Sequence, residues 1–176
     1  LMTVPGNLSS PLLATAAAAA AAPVEGPIKS VRFNHSDSAY LERNFGSTGN
    51  QRTFTISLWF KNTLDSNGQR TFFTAQENSP LKDKFTKLWL SSNHTLHFDE
   101  RDGGSDIWEL NSDVVFRDPS AWYHLVARVD TTQSTPADRV RLYVNNIQIE
   151  DFSSAVYPGQ NALVKFVNVN NAKNFI

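Results

Sequence analysis

Two tryptophans, one histidine and one aspartate stand at polar positions in segments that alternate like β-strands. Trp59 shares the polar side of its segment with a serine and a lysine, and Trp89 shares that side with a lysine. His97 and Asp99 fall on the polar side of a third segment. An indole ring stacks well on a sugar, and polar groups beside it fix the sugar's hydroxyls. If these strands are neighbours, we predict a carbohydrate-binding surface formed by Trp59, Trp89, His97 and Asp99. The alternative is that the tryptophans cap the sandwich or pack against another subunit.

The other residues able to do chemistry form no catalytic set. His94 and His97 lie on opposite faces of a predicted strand, so they make no obvious zinc pair. His124 lies in an apolar strand, where a hydrogen-bonded structural histidine is expected. There is no Ser-His-Asp order or glycine elbow, and Gly103-Gly104 lacks the Lys-Ser/Thr and the helix of a phosphate loop. On the residues alone we expect binding or assembly, and no enzyme activity.

Composition excludes several classes of protein. The chain has 176 residues, a formal net charge of −1 and no cysteine. This length fits one domain plus an extension. Without a basic cluster, nucleic-acid binding loses its electrostatic basis. Disulfides and thiolate metal sites are excluded because no cysteine is present.

The first 27 residues differ in composition from the rest. They contain turn-forming Pro, Gly and Ser, followed by the alanine run Ala16–Ala22. The first basic residue, Lys29, lies beyond the apolar run, which argues against a signal peptide. A membrane-spanning helix needs about 20 consecutive apolar residues, and the apolar segment Leu12–Ala22 is shorter than that. We predict an N-terminal arm over residues 1–27, either a disordered linker or a segment that becomes ordered against another subunit, and a separate domain over residues 28–176.

The segment from residue 121 to residue 149 predicts a strand buried on most of both faces, followed by a half-buried strand that enters a hairpin. Trp122–Val129 is rich in aromatic and β-branched residues, which favours a strand. In the next strand apolar residues alternate with polar ones up to Asn145-Asn146, a pair suited to a two-residue turn. That turn pairs Val144 with Ile147 and Leu142 with Ile149, so every apolar side chain of the hairpin lies on one face.

The rest of the domain also has the pattern of short strands separated by turns. Phe54–Phe60 alternates strictly, and no segment after Ile28 has a useful amphipathic helical period. Regular short strands with turn residues between them predict an all-β fold, an antiparallel β-sandwich or jelly roll. The further predicted strands are Ser30–Phe33, Ala39–Leu41, Arg70–Ala75, Phe85–Leu90, Thr95–Phe98, Ile107–Leu110 and Val114–Phe116.

Three motifs resemble a known fold family. They are Trp122–Val126 (Trp-Tyr-His-Leu-Val), the hairpin Arg141–Asn146 (Arg-Leu-Tyr-Val-Asn-Asn) and the earlier strand Phe54–Phe60. Together they resemble the concanavalin A-like, laminin-G-like jelly roll, from about Ser30 to the C-terminus. The chain stops at Ile176, where members of the family still have closing strands. We therefore expect a sandwich that lacks its last strands and pairs an edge with another chain.

A closer resemblance adds a biological setting. Ser30–Phe33, Ser38–Leu41 and Phe116–His124 are similar to a variant of this domain common in virion and tail-fibre proteins of marine bacteriophages. The resemblance implies a non-enzymatic virion protein, a tail-fibre component that forms a homo-oligomer, with a trimer favoured. Its sandwich would bind host glycan or neighbouring subunits, and residues 1–27 would attach it to other virion proteins. A capsid decoration protein is an alternative.

The family also includes glycoside hydrolases and calcium-binding domains. The hydrolase pattern is similar to Glu-x-Asp-x-x-Glu, but here Glu100 and Asp102 are followed by Ser105, and two glycines indicate a solvated acidic turn. The incomplete pattern favours the acidic turn, and a glycoside hydrolase is kept as an alternative function. We expect no cofactor. Calcium stays possible because some laminin-G-like domains bind it, and the acidic residues near this turn are Asp99, Asp102 and Asp106.

Overall fold

The computed structural model describes residues 31–33, 39–62, 68–77, 83–170 and 172–176. The predicted arm, residues 1–27, lies outside these ranges. Phe33–Ile176 forms a compact unit. In the described ranges, no helix has the length and apolar character needed to cross a membrane.

The unit is built almost entirely of antiparallel strands. The strands are β1 (Glu42–Asn44), β2 (Thr53–Lys61), β3 (Arg70–Glu77), β4 (Phe85–Leu90), β5 (Thr95–Asp102), β6 (Ser105–Val115), β7 (Trp122–Asp130), β8 (Val140–Val144), β9 (Ile147–Gln148), β10 (Phe152–Val156) and β11 (Ala172–Phe175). A large sheet has the order β1-β11-β3-β4-β5-β6-β10, and a small sheet has the order β2-β7-β8-β9. A short helix, α1 (Pro136–Arg139), connects β7 to β8.

The predicted fold class, an antiparallel β-sandwich, is confirmed. The core lies between the sheets because alternate residues of each strand are apolar and point inward. In the large sheet Leu88 and Phe98 are fully buried, and in the small sheet Leu125 and Leu142 are fully buried. These side chains belong to one continuous hydrophobic cluster.

The predicted hairpin is confirmed in its turn and register. Asn145 and Asn146 have φ values of 50° and 66°, the left-handed region that asparagine tolerates. Val144 pairs with Ile147, and the amide of Ile149 donates to the carbonyl of Leu142 at 2.8 Å. Ile147 is 73% exposed, however, so the apolar face of the hairpin extends past the core at its tip.

The structure corrects the predicted strands in two regions. Among the described residues of the first predicted segments, 31–33 and 39–41, none is in a strand, and the strand begins at Glu42. The two segments predicted as Ile107–Leu110 and Val114–Phe116 form the single strand β6, Ser105–Val115. The register shifts between β5 and β6 let this strand continue where the sequence pattern is interrupted.

The C-terminal strand lies inside the large sheet. β11 pairs with β3 on one side and with β1 on the other. β1 and β10 are the edges of the large sheet, and β2 and β9 are those of the small sheet. Pairing of one of these edges with another chain stays a prediction.

The segment between β10 and β11 closes one end of the sandwich. Its side chains Val164, Phe166 and Val167 are buried in the core. Backbone hydrogen bonds hold the segment in place. The amide of Val164 donates to the carbonyl of Gln51 at 3.1 Å, and the amide of Asn161 donates to the carbonyl of Thr131 at 2.7 Å. Backbone hydrogen bonds and buried side chains together position this irregular segment.

Glu100 attaches this segment to the large sheet. The predicted solvated acidic turn is wrong for this residue, which lies in β5 and is 1% exposed. Its Oε2 accepts a hydrogen bond from the amide of Lys165 at 2.9 Å and another from Thr86 Oγ1 at 3.1 Å. Burial raises the pKa of Glu100, and these hydrogen bonds only partly offset that effect.

Replacement of Glu100 by glutamine is expected to increase stability at neutral pH. The folded protein holds the Glu100 proton more tightly than the unfolded chain does, so stability falls as pH rises above the ordinary pKa of 4.5. Glu100→Gln keeps an acceptor for Lys165 and removes the buried charge, so its advantage over the wild type should grow with pH. Glu100→Ala leaves the Lys165 amide without this partner and should cost about 1–3 kcal/mol. Urea unfolding at several pH values measures both effects; a Gln variant that is destabilised at every pH would contradict this account.

Candidate functional site

A groove of about 410 Å³ lies on the outer face of the large sheet. It exists because the residues that alternate with the buried ones in β4, β5 and β6 are polar or aromatic and point away from the small sheet. We call this site the polar groove. It is lined by Gln69, Phe85, Lys87, Trp89, His97, Asp99, Arg101, Asp106, Glu109 and Asn111.

Strand register arranges the groove side chains in two rows. Trp89 pairs with His97, which in turn pairs with Asn111. In the second row, two residues further along the strands, Lys87 pairs with Asp99, which pairs with Glu109. Directly opposed side chains on one sheet face have Cβ atoms about 5 Å apart, so each row is one continuous contact surface.

Trp89 is held in place by its neighbours. Its ring stacks on that of His97 with centroids 4.4 Å apart and planes inclined by 29°. Lys87 Nζ lies 4.5 Å from the indole centroid, a cation–π distance. The indole Nε1 donates to Asp99 Oδ1 at 2.5 Å. The tryptophan therefore orients the Asp99 carboxylate and also forms part of the groove wall.

The remaining charged groups of the polar groove have defined partners. Arg101 donates to both carboxylate oxygens of Asp106, at 2.7 and 3.3 Å. Lys87 Nζ donates to Gln69 Oε1 at 2.6 Å. Glu109 accepts hydrogen bonds from neutral groups instead of a cation: Ser154 Oγ at 2.6 Å and Asn111 Nδ2 at 3.1 Å.

Partial burial shifts the pKa values of three groove residues. Desolvation raises the pKa of Asp99, and the hydrogen bond from Trp89 and the charge of Lys87 oppose that rise. Desolvation lowers the pKa of Lys87, with Asp99 acting in the opposite direction. It also lowers the pKa of His97, which favours the neutral imidazole. At these three positions the charged form is disfavoured, as expected where side chains are partly shielded from water.

Three of the four predicted site residues meet in the polar groove, and Trp59 does not. Trp59 lies in β2 of the small sheet and points away from the core, so the prediction that it shares a surface with Trp89 is wrong. Its ring stacks on His124 with centroids 4.8 Å apart, and it is 43% exposed. His124 Nε2 lies 2.9 Å from Ser57 Oγ, so this histidine has a hydrogen-bond partner.

Sequence reasoning missed the residues that β6 contributes to the site. Glu109 and Asn111 alternate with buried Trp108, Leu110 and Ser112, which is the ordinary period of a strand. Division of β6 into two short strands hid this pattern. A single strand from residue 105 to residue 115 would have placed both side chains on one face of β6, but only the pairing of β6 with β5 puts that face beside Asp99.

The residues of the hydrolase-like and calcium-like patterns are dispersed. Glu100 is directed into the core, and Asp102 pairs with Lys165 at 2.5 Å and with Lys84 at 3.7 Å. Asp99 accepts a hydrogen bond from Trp89, and Asp106 forms an ion pair with Arg101. Across the described part of the chain, no group of three or more His, Asp or Glu side chains is arranged to hold a metal ion. Calcium binding stays an untested prediction.

Comparisons with known proteins give a matching family model and solved structures that are similar in part. A family model described as the concanavalin A-like lectin/glucanases superfamily matches residues 33–172. A search of curated proteins found no match. Similar solved structures include CBM40 of the Ruminococcus gnavus IT-sialidase, with 14% identity and a TM-score of 0.47 over 70% of this chain and 64% of that one. The same module bound to α2,3-sialyllactose has 15% identity and a TM-score of 0.49 over 76% and 77% of the two chains. The heptameric SAP-like pentraxin from Limulus polyphemus has 13% identity and a TM-score of 0.49 over 78% and 56%.

We predict that His97 titrates below pH 6.5, the ordinary histidine value. Since the unfolded chain binds this proton more strongly, the stability contributed by neutral His97 is present above pH 6.5 and is lost as pH falls through the lowered pKa. A proton NMR titration of the His97 ring measures the midpoint directly, with His97→Gln used to assign the signal. A midpoint at or above 6.5 would show that the ring is not desolvated in the groove.

Proposed function

The chain belongs to the concanavalin A-like lectin/glucanases superfamily, and we propose that it is a glycan-binding protein whose ligand occupies the polar groove. The observation that carries this proposal is the meeting of Trp89, His97 and Asp99 in one cavity. An aromatic wall beside convergent donors and acceptors is the usual composition of a site for a small polar ligand. The cavity volume lies in the range typical of ligand sites, about 300–1,000 Å³.

Both kinds of hydrogen bond that a sugar needs are present in the groove. The carboxylates of Asp99 and Glu109 accept from sugar hydroxyls, and Asn111 and Lys87 supply donors. Because the rows are fixed by strand pairing, these groups are held in place before a ligand arrives. Preorganisation of this kind reduces the entropy lost on binding.

Glycoside hydrolysis is the second candidate function. Asp99 and Glu109 are cross-strand partners lining the same groove, and the pKa of Asp99 is raised, as in a general acid. Against this, Asp99 already accepts a hydrogen bond from Trp89, and both oxygens of Glu109 are hydrogen-bonded by neighbouring side chains. We therefore favour binding without hydrolysis. Release of reducing sugar from a bound oligosaccharide would reverse that preference.

We further propose that this glycan-binding domain belongs to a bacteriophage virion, as a homotrimeric tail-fibre component. The similarity of Ser30–Phe33, Ser38–Leu41 and Phe116–His124 to phage virion domains supports the setting. The change of composition at Pro27–Ile28 supports a division of labour in which residues 1–27 attach to the particle and the sandwich contacts host glycan. A decoration protein on the capsid is the alternative location.

A glycan array followed by titration of the strongest hit tests the binding site. Asp99→Asn keeps the shape of the side chain but removes a charged acceptor, and we expect about tenfold weaker binding, since hydrogen bonds to charged groups contribute about 1.5–3 kcal/mol. Trp59→Ala is the matched control, because Trp59 lies on the other sheet, and it should leave the Kd within about twofold. Equal losses in both variants, or a loss only in Trp59→Ala, would move the site away from the polar groove.

The proposed location predicts where an antibody against this protein labels intact phage particles. Gold label at the tail supports a fibre component, and label over the head supports the decoration protein instead.

The proposed role of the arm is tested with particles that lack this protein. The full chain should bind to them, whereas a chain without residues 1–27 should not bind. Sedimentation of the full chain should give the mass of a trimer, and a monomer at micromolar concentration would contradict the oligomer.

A further inference from the structure

We infer that the polar groove selects glycans without acidic sugars, and that Glu109 is the residue that sets this selectivity. This inference rests on the proposed function, because it assumes that a glycan occupies the groove. It concerns the chemical class of the ligand, which the shape of the groove alone leaves open.

The groove contains more negative than positive side chains. Its lining has three carboxylates against two cations, Lys87 and Arg101, with His97 as the other titratable group. Arg101 and Asp106 neutralise each other through a two-point ion pair. Lys87 faces Asp99 as its cross-strand partner. Among the described residues of the lining, the carboxylate that faces no cation is that of Glu109.

Glu109 has no cationic partner among the residues that the structure describes. The groups that donate to it, Ser154 and Asn111, are neutral. Its residual negative charge therefore acts on whatever enters the groove. It lies opposite Asp99 in the pairing of β5 with β6, so two carboxylates line adjacent positions of the groove.

Among the described residues of the groove, neither cation offers a sugar carboxylate an uncompensated positive charge. A carboxylate is best held by the two-point donor geometry of arginine, and Arg101 already uses that geometry for Asp106. Lys87 keeps N–H groups that can donate to a sugar hydroxyl, but its charge already faces that of Asp99 and lies against the Trp89 ring. A sialic or uronic acid would therefore meet the charge of Glu109 without a cation to compensate it, which is a penalty for like charges. Neutral hydroxyls and the ammonium of an amino sugar are instead donors that these carboxylates accept.

The experiment uses the full chain on a glycan array in which neutral oligosaccharides are paired with their sialylated or uronic acid-containing counterparts. We expect bound glycans to be neutral or amino sugars and the acidic counterpart of each to bind more weakly. Glu109→Gln should improve the Kd of the acidic form relative to the neutral form by about two- to fivefold, the effect of one partly exposed charge pair. It should also weaken binding of amino sugars relative to their N-acetylated forms.

Glu150→Gln is the matched control, because it removes one exposed carboxylate outside the groove. It should leave the ratio of acidic to neutral affinity unchanged. Preferred binding of the sialylated or uronic acid forms by the wild type, or equal ratios in Glu109→Gln and the wild type, would overturn this inference while leaving glycan binding intact. An array without any bound glycan would overturn the proposed function itself, and this inference with it.

Discussion

The two-residue period of side chains along β4, β5 and β6 is the constraint on which the groove depends. In β5, Leu96, Phe98 and Glu100 point into the sandwich, so His97 and Asp99 must point out. A slip of one residue in pairing would expose the apolar set and bury the polar one, which the hydrophobic core does not permit. The polar groove is therefore held in place by side chains on the opposite face of the same strands. Its geometry follows from core packing, although no groove residue belongs to the core cluster.

Glu100 is the one buried residue of β5 that is not apolar, and it has a structural role. A buried carboxylate is unfavourable unless hydrogen-bonded. Glu100 is hydrogen-bonded by the amide of Lys165, in a segment that lacks strand partners for its own amides at this point. The apolar side chains Val164 and Phe166 on either side are buried. One polar contact thus positions an irregular segment whose apolar residues complete the core.

The electrostatics of the groove follow from the same packing. Rows of directly opposed side chains bring Lys87 next to Asp99 and Asp99 next to Glu109. Partial loss of water disfavours each charge, which explains the lowered pKa of Lys87 and the raised pKa of Asp99. Lys87 and Asp99 each offset part of this effect for the other. Glu109 has no ion-pair partner among the described residues, and for that reason the proposed selectivity depends on it.

The sequence by itself determined the local features, because they depend on side-chain period and turn chemistry. It predicted the sandwich, the Asn145-Asn146 turn with its register, and the shared face of His97 with Asp99. Only the tertiary structure decided which strands are neighbours. Sheet assignment depends on contacts between residues far apart in the chain, so no local pattern separated Trp59 from the groove or added Glu109 to it. A strand's period shows which residues share a face, while the packing of the whole core decides what that face lies beside.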